Sequence, residues 1–108
     1  MNKPDKPSLA YLAYALRHKE VWPTSFIWDY SMHFTCAMGL AALLWSIDDL
    51  CTSGMATEFN ISKDEAKWLF LSAGKNYSLT DKDCKNVQPE HIAELIETEA
   101  FKNETVGC

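Results

Sequence analysis

The run Cys36–Trp45, C-A-M-G-L-A-A-L-L-W, limits what this chain can fold into more than any other segment. An aromatic, polar-spotted lead-in from Trp28, W-D-Y-S-M-H-F-T, feeds straight into it. The pair reads as a connector entering the N-terminus of a buried helix, with Cys36 on its first turn. Ala37, Gly39, Ala41 and Ala42 are small enough to let a neighbouring element approach closely. At about ten residues, the run falls well short of the roughly 20 that a membrane-spanning helix requires.

Thr24–Tyr30 holds Phe26, Ile27, Trp28 and Tyr30, side chains that favour extended structure, yet no other part of the chain offers a partner strand. A lone strand leaves its backbone N–H and C=O groups unsatisfied, so these residues are expected to form an aromatic connector packed across helices. The fold class that follows is all-α, a single compact domain of four to five helices with an aromatic-rich connector. A length of 108 residues suits one domain. With 47% hydrophobic residues and four tryptophans, the composition is that of a folded globule with a ring-rich core.

Residues 1–7, M-N-K-P-D-K-P, are expected to be a disordered arm, the helical domain to span 8–102, and 103–108 to fray. Ser8 is placed to cap a helix over Leu9–Lys19, in which Leu9, Leu12, Ala13 and Leu16 recur at helical spacing. Trp22-Pro23 ends it, because proline disfavours helical geometry at the residue before it. Thr35 can cap the next helix, which runs to about Ile47 before Asp48-Asp49 breaks the apolar pattern. A short helix around Ser53–Phe59 follows, with Asn60 at a turn. Ser62-Lys63-Asp64-Glu65 is a capping box, in which serine and glutamate satisfy two otherwise orphaned backbone donors. Its helix carries Ala66, Leu69 and Phe70 with Trp68 adjacent, and Gly74 stands where a left-handed residue closes such a helix. Lys75–Val87 is polar and reads as a surface loop. Gln88-Pro89-Glu90 opens the last helix with proline at its first position, and Ile92, Leu95, Ile96 and Phe101 form its buried stripe.

The formal net charge of −5, with scattered lysines, argues against direct nucleic-acid binding, which needs clustered Lys and Arg. It suits solubility, and equally docking onto a basic, nucleic-acid-handling protein. Glu90, Glu94 and Glu97 share one face of the last helix by their four- and three-residue steps. With Asp81 and Asp83 in the preceding loop, they read either as a solvated surface or as a mimic of phosphates toward a basic groove. Trp22, Phe26, Trp28 and Tyr30 are core packing by default and interface anchors wherever they are exposed.

Cys36, Cys51, Cys84 and Cys108 have no zinc-site spacing, and no metal or cofactor is expected. No apolar signal region follows the N-terminal charges, so reduced thiols and a cytoplasmic location are expected. A disulfide between Cys36 and Cys51 is the alternative, and Cys108 is a site for adventitious cross-linking. His33 and Cys36 have H-x-x-C spacing, but Asp29, Cys51 or Cys84 would have to complete four ligands. The most catalytic-looking set is Cys36 with His91. A cysteine at a helix N-terminus with a distant histidine base is the papain-like arrangement. No sheet can be written for residues 60–108 to carry that base, and the local glycine-cysteine-tryptophan signature is missing. Cys36 therefore reads better as a buried residue.

In chain order, W-D-Y-S at Trp28–Ser31, C-A-M-G-L-A at Cys36–Ala41, I-S-K-D-E-A-K-W-L-F at Ile61–Phe70 and V-Q-P-E-H-I-A at Val87–Ala93 resemble a pattern in small helical proteins of bacteria and their phages. That domain of unknown function has a C-A-x-G-x-A helix start and an I-s-x-e-e-A-x-x-L-F helix. The resemblance covers the middle and C-terminal two-thirds. It implies a host-directed interaction protein from a mobile element, such as an inhibitor of a bacterial defence system of the anti-CRISPR kind, and it brings no catalytic residue. The expected function is a non-enzymatic module that binds a protein partner. The alternatives are a cysteine-dependent hydrolase or transferase using Cys36 and His91, and a structural subunit or homodimer.

Overall fold

Ser8 Oγ accepts the Tyr11 backbone N–H at 3.3 Å and so starts the first helix, α1, Leu9–Arg17. The computed structural model describes residues 1–30, 36–74 and 87–102. Within them the remaining helices are α2, Ala37–Trp45; α3, Thr52–Phe59; α4, Lys63–Ala66; and α5, Pro89–Glu97. No strand occurs among the described residues, and the architecture is all-α. None of the described helices is long and apolar enough to cross a membrane.

α1 buries Leu12, Ala15 and Leu16 completely, but it stops at Arg17, two residues before the expected Lys19. The cause lies seven residues from Ala15, at Trp22. The Ala15 carbonyl accepts both the His18 N–H, at 3.1 Å, and the Trp22 indole N–H, at 2.6 Å, so the chain tightens into a 3₁₀ turn over Lys19–Val21. Trp22→Phe, which removes that donor, should destabilise the fold by about 0.5–1.5 kcal/mol in chemical denaturation.

α2 is capped by Cys36 and closed by Ser46, whose φ of 55° turns the chain left-handed before Ile47. The expected cap Thr35 lies outside the described residues. α2 is a core helix over its first half only. Ala37 to Ala41 are buried, whereas Leu43 is 48% exposed, because a helix apolar on every side has no polar face to turn outward.

Cys51 caps α3 in an arrangement of three residues. Its Sγ accepts the Gly54 N–H at 3.4 Å, and its S–H donates to Asp49 Oδ1 at 2.9 Å. α4 opens with the full capping box, Glu65 N–H to Ser62 Oγ at 3.0 Å and Ser62 N–H to Glu65 Oε1 at 2.8 Å. It then widens into π-helical winding over Lys67–Leu71, where the Ser72 N–H reaches back to the Lys67 carbonyl at 3.1 Å. The wider turn lets three consecutive large residues, Trp68, Leu69 and Phe70, all enter the core. Gly74, at φ 77°, ends the element by donating its N–H to the Trp68 carbonyl.

α1 and α5 make the most extensive helix pairing. α5 contributes Ile92, Ala93 and Ile96 to the core, followed by Phe101, while Leu95 is half-buried. A chain of ring contacts, Tyr11–Trp45–Phe59–Phe70, ties α1 to α2, α3 and the π segment at centroid distances of 5.8 to 5.9 Å. Residues 1–6 of the N-terminal arm are exposed, yet the arm lies against the end of α2. The Trp45 indole N–H donates to the Pro4 carbonyl at 3.0 Å, and Lys3 Nζ sits 5.8 Å over the Trp45 ring.

At the outer edge of the α1–α5 pair, Arg17 grips Glu97 through two hydrogen bonds of 2.9 and 2.7 Å. Hydrogen bonding to Glu97 raises the guanidinium further and holds the Glu97 carboxyl below its ordinary range. A depressed carboxyl contributes stability above its unfolded-state value and loses it as pH falls through the folded one. The melting-temperature gap between wild type and Glu97→Gln should therefore narrow as the pH is lowered through the acid range and the Glu97 carboxyl is protonated. The exposure of the pair keeps that gap small at neutral pH.

Candidate protein-interaction surface

Two tryptophans fasten the aromatic connector to the helices on either side. The Trp22 indole N–H is held by the Ala15 carbonyl in the last turn of α1, and the Trp28 indole N–H donates at 2.8 Å to the carbonyl of Val87, just before α5. Between them, a turn closed by the Phe26 N–H on the Pro23 carbonyl brings Phe26 edge-on to Trp22, at 5.0 Å and 86°. The indole donors are thus spent internally, and the rings present their apolar faces. Together with Lys19, Ile27 and Pro89 they line an open groove of about 510 Å³.

Of the expected aromatic anchors, Tyr30 is only 1% exposed and belongs to the core, and Phe26 is buried apart from the edge it gives the groove. Trp22 and Trp28 are half-buried and do reach the surface. The most exposed apolar residue here is Ile27, at 74%, which the aromatic pattern overshadowed. Its signal was the alternation of an extended segment, in which successive side chains point to opposite sides. Phe26 turns inward and Ile27 therefore outward.

Glu90, Glu94 and Glu97 are all exposed on α5, but they are not equivalent. Glu97 is clamped by Arg17, whose charge also feels Glu94 and Glu90 more weakly. That leaves Glu90 and Glu94, of which Glu90 directly follows the groove residue Pro89 in the chain. Asp81 and Asp83 lie outside the described residues, as do His33, Cys84 and Cys108.

The Cys36–His91 pair has the wrong environment for a nucleophile and its base. Cys36 is completely buried, and desolvation pushes its thiol above the ordinary value, outweighing the backbone N–H groups of Gly39 and Met38 that act the other way. The His91 ring is turned to the backbone, with Nε2 3.1 Å from the Ala73 carbonyl. Cys36 and Cys51 are both thiols, so no disulfide joins them. In the folded protein, iodoacetamide should label the exposed Cys51 at least about tenfold faster than Cys36, as read by peptide mass spectrometry. Among the described residues, no three His, Cys, Asp or Glu side chains converge as metal ligands would.

No protein-family model, curated protein or solved structure matches this chain. Half-buried rings, one outward aliphatic side chain and, next after Pro89 in the chain, the exposed Glu90 combine apolar and charged groups as protein interfaces commonly do.

Proposed function

We propose that this chain is a non-enzymatic protein-binding module, and that its contact face is the connector groove together with Glu90 and Glu94 of α5. The observation that carries the proposal is Ile27, a large aliphatic side chain 74% exposed on a wall of rings whose indole donors are already bonded. Covering such a side chain in a complex is worth up to about 1.5–3 kcal/mol, and a surface already fixed by internal hydrogen bonds costs little to order on binding. The adjacent carboxylates favour a basic partner.

A small acidic protein with this face fits a host-directed role in which a phage or mobile-element product masks a basic, nucleic-acid-handling surface of a host complex in the cytoplasm. Inhibition of a defence system in the anti-CRISPR manner is one instance. The resemblance of the helix-start segments to small phage and bacterial proteins supports this reading, as does the net charge of −5. The buried thiol of Cys36 counts against the cysteine-enzyme alternative.

The test is capture from bacterial lysate on the immobilised chain at about 0.15 and 0.5 M salt. The expected partner is basic, is released at the higher salt, and is lost when Glu90→Lys and Glu94→Lys are combined. Capture that survives both the double reversal and the salt would remove the basic-partner reading.

A further inference from the structure

We infer that the connector groove receives the guanidinium of a partner arginine, and that Lys19 holds that place in the unbound chain. The inference rests on the protein-binding reading and names the group this face recognises. Lys19 Nζ already sits 5.9 Å over the centroid of the Trp22 ring, so the groove contains a cation on an aromatic face. Trp28 lines the same groove, and the nearly buried Phe26 stands perpendicular to Trp22 at 5.0 Å. Because both indole N–H groups are bonded to backbone carbonyls, the rings act through their electron-rich faces, which attract cations.

The charges around the groove favour the same ligand. Glu20, Asp29 and Glu90 follow the lining residues Lys19, Trp28 and Pro89 in the chain; Glu20 is paired with His18 Nδ1 at 3.0 Å, and Glu90 is exposed at the start of α5. The net charge of −5 and the exposed Glu90 favour a cationic ligand over an anionic one. Arginine fits better than lysine, since its planar guanidinium stacks on indole and is more weakly hydrated. Lys19 is exposed on a 3₁₀ turn and can swing into water at little cost, while Ile27 is placed to cover the aliphatic stem of the incoming side chain.

The experiment uses the full chain labelled with ¹⁵N and follows its four tryptophan indole N–H signals while a blocked peptide of sequence GLRRLG is added. The signals of Trp22 and Trp28 should move, and those of Trp45 and Trp68 should stay. Replacing both arginines by citrulline, which keeps the shape and removes the charge, should weaken binding about tenfold. Lys19→Ala and Lys19→Gln should each tighten it about threefold or more by vacating the Trp22 face, whereas Lys63→Ala, the same charge change on α4, should leave it unaltered. Equal binding of the citrulline peptide, no gain in either Lys19 variant, or shifts centred on Trp45 or Trp68 would overturn the inference. Indole shifts that grow with protein concentration alone would overturn it in favour of a second copy as occupant. If the arginine peptide moves nothing while a basic partner is still captured through Glu90 and Glu94, the arginine site is refuted and the protein-binding reading stands.

Discussion

Phe70→Ala is expected to lower the unfolding free energy by about 3–5 kcal/mol. Phe70 is completely buried in the π-helical segment and packs on Phe59 at 5.9 Å. Phe59 is itself held edge-on against Trp45, so it cannot easily move into the space a truncated Phe70 would leave. The cost is then the transfer term plus most of the cavity term. For a domain whose whole stability is about 5–15 kcal/mol, the urea midpoint should fall steeply while the slope of the transition is retained. A loss below about 1 kcal/mol would mean that the ring chain linking α1, α2, α3 and the π segment does not hold the core together.

Gly54→Ala should also destabilise, although alanine inside a helix ordinarily gains about 0.8–1 kcal/mol over glycine. A Cβ at position 54 would lie 2.3 Å from the Asp49 carbonyl oxygen and 2.9 Å from Asp49 Cβ. The obstacle is backbone, and it belongs to the residue whose carboxylate receives the Cys51 thiol that caps α3. Relieving the overlap must displace the turn before α3 and disturb the cap, for a net loss of about 1–3 kcal/mol. Faster alkylation of Cys51 in the variant would locate the damage at the cap, and a rise in melting temperature would contradict the packing described here.

What the sequence made legible was chiefly local. Ser8, the Ser62–Glu65 box, Gly74 and Pro89 each mark a helix end through bonds made within a few residues, and the structure places all four as expected. What it concealed depends on partners far along the chain or on packing demand. α1 stops early because a tryptophan from the following connector takes one of its carbonyls. α4 widens because three successive large side chains must all be buried, a tertiary requirement that no capping motif encodes. Glu97 is withdrawn from the acidic stripe by an arginine 80 residues away. The contact face was partly visible in the same way. The four connector aromatics stood out by composition, but their division into core and surface, and the outward turn of Ile27, follow from two indole bonds to backbone carbonyls far apart in the chain, one in α1 and one just before α5.

The central claim is that the connector groove is the face this chain presents to its partner, and Ile27→Ser tests it most directly. The variant removes the apolar contact without changing charge, and the 74% exposure of Ile27 means the fold should be unaffected. With the captured partner purified, calorimetric titration should show Kd for Ile27→Ser weakened about tenfold at an unchanged melting temperature. An unchanged Kd, with the protein equally folded, would contradict the account.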